Sequence, residues 1–353
     1  MPSPEVSGHR TWFTITAMSD GVTTTASGEL IGLEDRAAWD GALEEVQHAF
    51  AHTWDHCHAI AASTRYATYL YRFRSSQARI VCPIAERPVG SYVDVVTPYG
   101  FSGFVGTGDC PRFDSHWREF AERRGYVCGY FILNPVMSNQ TYFGDAAQPH
   151  RTLFVLDLRL DEEELFTRLS RTRRPQVRRL DADPAALVSD RGRLTEFFVH
   201  TYPEFMARRG AAGVYQLNER SLRELCGSPR VLLFGAQRSG RVRAVTVFGF
   251  TRYAADAVFH ASLPGEESHS PMLFWAALRE LKDRGVPSLN LGGGVTENDS
   301  LADFKRRFGA ERVPLRNIKQ VYRADVYRTL CRRAGVDPAG SSYFPAYRAP
   351  RSE

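Results

Sequence analysis

Three apolar, β-branched runs follow one another in the second half of the chain, Val231–Ala236, Val242–Phe250 and Ala255–Ser262, with only short polar turns between them. Strands so closely spaced pair as a meander. After them, Ser270-Pro271 predicts a helix start, serine as cap and proline at the first helical position, leading into Met272–Arg284. A short strand, Pro287–Leu291, then runs into Gly292-Gly293-Gly294; Ser300 with Asp303 begins a helix over 300–308, and Arg316–Tyr322 supplies a last strand. Upstream, Arg151–Leu158 alternates as a strand, and Asp161–Leu169 opens a helix with acids at its positive end until Pro175 interrupts it. Helices are expected near 193–209 and 218–226. The order of strand, helices, three-strand meander, helix, strand, helix, strand implies a mixed sheet of the α/β class.

The first half reads less evenly. Its first thirty residues have no sustained period, and the run Thr23–Glu29 reads as loop. From Asp35 to Ala61, Trp39, Leu43, Val46, Phe50 and Trp54 recur at steps of three and four, which predicts one amphipathic helix. Strands are expected at Tyr69–Arg74, Ala78–Ala85, Ser91–Val96 and Tyr126–Leu133, with a helix over Pro111–Arg124. Between them lies a glycine-punctuated loop, Pro98–Phe104, and Asn134–His150 reads as a connection between domains. With 353 residues the chain has room for two domains of ordinary size. The expected division is an N-terminal segment 1–30, domains at 31–150 and 151–325, and a C-terminal helix and tail at 326–353.

Charge divides the same way. Residues 1–150 carry 11 Lys/Arg and 16 Asp/Glu, a net −5; the remainder carries 34 and 24, a net +10. No apolar run approaches the ~18 residues of a membrane-spanning helix, and the polar N-terminus lacks the apolar core of a secretory signal, so a cytoplasmic protein is expected. Six scattered cysteines without a C-x-x-C pair give no metal or redox spacing. His48, His52 and His56 recur every four residues, but no third helical ligand or H-E-x-x-H glutamate accompanies them, and no metal or cofactor is expected. The absence of a G-x-S-x-G elbow argues against a covalent acyl-enzyme.

The element order of the second half is that of the GNAT acyltransferase fold, whose central strands splay apart to admit donor and acceptor. Asn290-Leu291-Gly292-Gly293-Gly294, followed by Asp299-Ser300-Leu301 and Phe304-Lys305-Arg306-Arg307-Phe308-Gly309, resembles the L-G-G-G…D-S-L-x-x-F-K-x-x-F signature of FemAB-like proteins. Asp94–Gly103 is similar to the D-x-x-x-P-Y-G-Y-x-G loop of the same family's first domain. The resemblance covers roughly residues 30–325 and implies two tandem GNAT-like domains. It further implies amide-bond formation between an aminoacyl group carried on tRNA and an amine on a cell-wall precursor or a small natural product.

On that resemblance Lys305 falls on the family's lysine, a cation near the scissile ester, while Phe304 and Phe308, four apart, read as core. Asp94, Tyr99 and Gly100 would shape the acceptor cleft, and Gly292, Gly293 and Gly294 a close backbone approach or simply a sharp strand exit. Arg171, Arg173, Arg174, Arg178, Arg306, Arg307 and Arg312 form the clusters expected to dock aminoacyl-tRNA. His260, in the third meander strand, is a candidate for the amine's proton, with Asp256 and Asp303 behind it. A coenzyme-A-dependent GNAT normally carries R/Q-x-x-G-x-G/A before its long helix; here the place reads Glu266-Glu267-Ser268-His269-Ser270-Pro271-Met272. The donor is therefore expected to be aminoacyl-tRNA, with acyl-coenzyme A transfer or a non-catalytic binding module as the alternatives. The acidic first half suits a small cationic amine as acceptor better than a nucleotide-linked precursor. A monomer that neither spans a membrane nor binds DNA completes the expectation.

Overall fold

The structure, a computed structural model, describes residues 12–19, 22–137, 139–211, 213–294, 296 and 299–350. The first half runs β1 (Trp12–Ser19), β2 (Val22–Gly32), α1 (Arg36–Glu44), α2 (Trp54–Thr64), β3 (Ala67–Arg74), β4 (Arg79–Val89), β5 (Tyr92–Val96), β6 (Val105–Thr107), α3 (Phe113–Arg124) and β7 (Tyr126–Ile132). The second runs β8 (Ala147–Asp157), α4 (Glu162–Arg168), α5 (Arg174–Val177), α6 (Arg179–Ala182), β9 (Leu187–Val188), α7 (Arg191–Arg208) and α8 (Glu219–Gly227). It continues with β10 (Val231–Arg238), β11 (Arg241–Phe250), β12 (Ala255–Ser262), α9 (Ser270–Asp283), β13 (Ser288–Gly293), α10 (Ser300–Arg306), β14 (Glu311–Val321) and α11 (Ala324–Ala334).

All the strands join one mixed sheet in the order β1-β2-β3-β4-β5-β7-β14-β8-β13-β12-β11-β10-β9, with β6 on β4. Pairing is antiparallel except where a crossover helix returns the chain, α3 between β5 and β7 and α9 between β12 and β13. The last strand, β14, lies between β7 and β8 and ties the two halves edge to edge. Aromatic residues fill the face covered by α3, where Tyr71, Phe104, Phe113 and Trp117 interlock. The face under α9 buries Trp275, Phe248 and Leu273. A third core is shared: Phe50, Ala59 and Ile60 of the first half pack with α7, α8, β10 and β11 of the second.

Two readings of the first half are corrected. Thr23–Glu29 is strand, inside β2, and pairs with β1 on one side and, from Ser27 onward, with β3 on the other. β-branched threonines suit a pleated ladder once neighbours are present, and no polar composition can show where those neighbours are. Asp35–Ala61 is not one helix. It breaks after Glu44, passes through a turn at Phe50–His52, and restarts at Trp54, because Thr53 takes an extended conformation and its hydroxyl accepts the His56 amide as an N-cap. The Trp39 and Trp54 spacing is satisfied by two helices, whose indole N–H groups donate to the His52 and Leu33 carbonyls.

The C-terminal extension packs. After α11, Ala346 is buried and Tyr347 and Arg348 reach back to Asp94 on β5.

Candidate active site

Each half contains a place where two parallel strands leave a crossover helix and could part. In the first half they stay closed. β5 and β7 pair through Val96 and Tyr130, the Thr97 hydroxyl accepts the Ile132 amide, and Ser102 bridges Leu133 beyond it. In the second half β12 and β13 pair only at Ala255–Leu289 and Asp256–Asn290. Beyond that point β12 continues along β11 to Ser262, while β13 shifts register after Asn290 and follows β8. The turn away depends on Gly292, whose φ of +76° is costly for any other residue. One fork is therefore open, and it lies in the second half.

Asp256 and Asn290 sit at its base, 7% and 1% exposed. The Asn290 amide donates to Asp256 Oδ1 at 2.9 Å, and its own Oδ1 accepts the Gly292 amide at 2.8 Å. One step further, the Lys305 ammonium donates to the Gly293 carbonyl at 2.5 Å. A Cβ on Gly292 would stand 3.0 Å from Lys305 Nζ, and one on Gly293 would stand 2.7 Å from the Thr152 carbonyl. The glycine run thus lets a lysine and a neighbouring strand approach its backbone. Lys305 is aimed inward because Asp299 caps α10 through the Ala302 amide, placing Ala302 and Lys305 on the buried face. Burial raises the Asp256 pKa to about 7, partly offset by the Asn290 hydrogen bond, and burial lowers that of Lys305 to about 8, opposed by Asp299. A carboxyl and an amine that both titrate close to neutrality are thereby joined through Asn290, Gly292 and Gly293 of one fork.

His260 lies farther along β12, its ring between the Thr246 hydroxyl at 2.8 Å and the Ser270 hydroxyl at 3.1 Å. Burial and Arg209 lower its pKa to about 4, so at neutral pH the imidazole is uncharged and both ring nitrogens are engaged. The Ser270 hydroxyl therefore serves His260 and not the helix end: His269 stands at the N-cap of α9, without a side-chain cap bond, and Pro271 follows in the first turn. Just before the helix, Glu266 is ion-paired to Arg238 and hydrogen-bonded to His269. A carboxylate stands where a pyrophosphate cradle would be.

The first half reaches this fork through its glycine loop. His56 donates from Nε2 to the Tyr99 carbonyl at 2.6 Å, and His52 Nε2 bonds the Gly103 carbonyl at 3.2 Å. Gly100, at φ +114°, fits beneath Ala51 and His56, where a Cβ would come within 2.9 Å. Tyr99 is thereby set with its ring stacked on Phe259 of β12, 5.5 Å between centroids, and edge-on to Tyr215 at 5.6 Å. The histidines that recur along this segment hold loop carbonyls, and among the described residues no group of three His, Cys, Asp or Glu is placed to hold a metal. Asp94 lies elsewhere. Fully buried on β5, it accepts from Arg87 at 2.6 Å, Arg348 at 2.6 Å and the Tyr347 hydroxyl at 2.8 Å.

The two arginine clusters, far apart in sequence, meet beside α10. The Ser170 amide donates to the Arg307 carbonyl at 2.9 Å, and Arg307 Nη1 to Thr172 at 3.5 Å. Arg173 is interior: its guanidinium lies 4.4 Å over Phe304 and 4.8 Å over Phe308 and donates to the Phe304 carbonyl. Phe304 and Phe308 pack on Phe274 as core. Arg174 and Arg178 lie near the Phe166 ring, Arg306 and Arg307 pair with Asp303, and Arg171 is exposed. Arg312 lines a cavity of about 390 Å³ with His150, Arg151, Phe154, Gly294 and Thr296, at the outer end of the glycine run.

Two of the groups named here have weak sequence signals: Asp256 is a lone carboxylate in an apolar strand, and Tyr215 belongs to no motif, whereas Asn290 lies inside the same run as Gly292 and Gly293.

No known family profile matches the sequence, and none of the curated proteins does. Among solved structures the chain is similar to FemX, with 12% identity and a TM-score of 0.57 over 78% of this chain and 97% of that one. It is also similar to L-PGS from Bacillus licheniformis, at 14% identity and a TM-score of 0.53 over 84% and 94%. A third is the C-terminal domain of a chain assigned as a lysylphosphatidylglycerol synthetase from Agrobacterium fabrum, at 14% and 0.55 over 85% and 94%. At such identities the likeness is one of fold: the chain shares the fold of FemX and of the two lysylphosphatidylglycerol-synthetase-type structures.

Proposed function

We propose, from this FemAB-like fold and its single open fork, that the protein is an aminoacyltransferase: it moves an aminoacyl group from tRNA to an amine acceptor, a small natural product or a cell-wall precursor, in one ternary complex. The observation that carries the reading is the pair Asp256 and Lys305, linked through Asn290 and the glycine run at the point where β12 and β13 part. Aminolysis of an ester is downhill, so the protein has to place the amine, take its proton and steady the oxyanion.

In the proposed reaction the acceptor ammonium gives one proton to the Asp256 carboxylate, and the freed nitrogen adds to the ester carbonyl carbon. The Lys305 ammonium steadies the resulting oxyanion. The carbonyl re-forms as the bond to the ribose oxygen breaks, and that oxygen takes the second proton that the nitrogen gives up. Asp256 then returns its proton to solvent. The arginines beside α10 serve as the docking surface for the tRNA phosphates, and Glu266 before α9 argues against coenzyme A.

The test is product formation in a cell extract with ATP, mixed amino acids and a panel of amines, followed by mass spectrometry. A new amide that disappears on ribonuclease treatment supports the reading. An amide that survives ribonuclease and needs added coenzyme A overturns it.

A further inference from the structure

We infer that the cavity at the outer end of the glycine run is the pocket for the side chain of the donated aminoacyl group, and that this side chain carries a carboxylate. The inference rests on the reading that an aminoacyl ester reacts beside Lys305, and it names the class of amino acid transferred.

The cavity adjoins the reacting centre through two residues. Lys305 donates to the Gly293 carbonyl, and Gly294, the next residue, lines the cavity. Ala302, one turn before Lys305 on the buried face of α10, lines it as well. In an aminoacyl ester the side chain branches from the carbon next to the carbonyl, so a group that steadies the carbonyl oxygen has the side chain as its neighbour. A volume of about 390 Å³ gives that side chain room.

The lining favours negative charge. Phe154, Ala302 and Pro314 offer apolar surface for the methylenes, while the titratable groups are His150, Arg151 and Arg312, with no carboxylate among the described residues of the lining. Phe154 stands opposite Arg312 across the β8–β14 ladder, and Thr152 opposite Pro314, which sets all four on one face of the sheet. Further out, Arg151 pairs with Leu315 but Pro149 with Arg316, so His150 is an extra residue in β8. A bulge of this kind re-aims the side chains around it, and the consecutive His150 and Arg151 both line the cavity. Burial, Arg151 and Lys319 all lower the His150 pKa, and no acid opposes them. Arg151 has no ion-pair partner among the described residues. Arginine holds a carboxylate through two parallel hydrogen bonds. Phosphates have a surface of their own in this reading: the arginines that dock them belong to residues 171–178 and 306–307, and none of those lines the cavity.

The experiment is titration calorimetry on the full chain without tRNA, using the α-ethyl esters of glutamate and glutamine and adenosine monophosphate as probes. The glutamate ester stands in for the aminoacyl ester, and the glutamine ester matches it in size without the side-chain charge. The glutamate ester is expected to bind about tenfold or more tightly than the glutamine ester. Arg151→Gln and Arg312→Gln, both at exposed positions, should each cut that preference about threefold, and the double variant should erase it. Adenosine monophosphate should not displace the glutamate ester. No binding of the glutamate ester, equal binding of the two esters, a preference that survives in the double variant, or displacement by adenosine monophosphate overturns the inference, the last by making the cavity a phosphate site. Because no tRNA is present, a preference for the glutamate ester that persists when the ribonuclease experiment fails would remove the proposed donor and leave this pocket standing. Transfer from tRNA without such a preference would remove the pocket alone.

Discussion

Asp256→Asn should stabilise the protein while disabling it. In the unfolded chain an aspartate ionises near 3.8, whereas burial at the base of the fork holds the native carboxyl protonated up to about 7. The native state binds a proton that the unfolded state has lost, so stability falls as pH rises from 3.8 to about 7 and stays low above it. A gap of that size corresponds to about 4 kcal/mol. The amide of an asparagine can still accept from Asn290 and carries no charge, so the variant lacks this fall. For a chain of this length 4 kcal/mol corresponds to roughly 5 °C in melting temperature. The assay is urea and thermal unfolding of both proteins from pH 4 to pH 8.5: coincident curves near pH 4, and a gap that widens steadily up to about pH 7 and is complete by pH 8. Loss of a general base should meanwhile lower single-turnover transfer by about 10²–10⁴-fold. A variant no more stable than the wild type at pH 8, or one that is more stable and still turns over normally, refutes the reasoning.

Other consequences follow from the same geometry. Transfer should rise with pH through about 7 as Asp256 ionises and fall through about 8 as Lys305 loses its proton, and single-turnover rates across that range should show both limbs, the acid one missing in Asp256→Asn. Gly292→Ala should cost about 1–2 kcal/mol from its φ of +76°, and a larger share of turnover because the new Cβ crowds Lys305; urea melts and transfer rates measured together would separate the two. Arg348→Ala removes one charged partner of a fully buried carboxylate while leaving Arg87 and Tyr347, a loss of about 1.5–3 kcal/mol that urea unfolding would detect. Replacing exposed Arg171 by alanine should weaken tRNA binding and flatten its salt dependence by about one in log–log slope, measured by filter binding from 50 to 200 mM salt.

Much of the second half was legible because its elements are local. The meander, the helix after Ser270 and the strand entering Gly292–Gly294 each have a period or a cap of their own, and the observed β10, β11, β12, α9 and β13 follow those runs closely. The first half misled where structure depends on distant partners. The threonines of β2 become strand only beside β1, and the break between α1 and α2 hangs on one threonine cap inside a continuous apolar stripe. Lys305 and the glycines belong to a contiguous signature, so they could be picked out from the chain alone. Asp256 could not be ranked above His260, since which of two strand residues faces an opening depends on where β13 leaves β12. The partners of Asp94 lie up to 254 residues away, at the far end of the chain, and no spacing rule connects them. Arg173 reads as a surface cation in a cluster, yet two phenylalanines 131 and 135 residues later draw it inward.

The central claim, that aminoacyl transfer takes place at the fork between β12 and β13, is tested most directly with purified protein, tRNA charged with labelled amino acids and 2-phenylethylamine in a single turnover. The account predicts that label passes from tRNA to the amine, that release from tRNA depends on the amine, and that Lys305→Ala and Asp256→Asn each slow transfer by about 10²-fold or more while binding charged tRNA as the wild type does. Transfer undiminished in both variants would place the chemistry somewhere other than this fork.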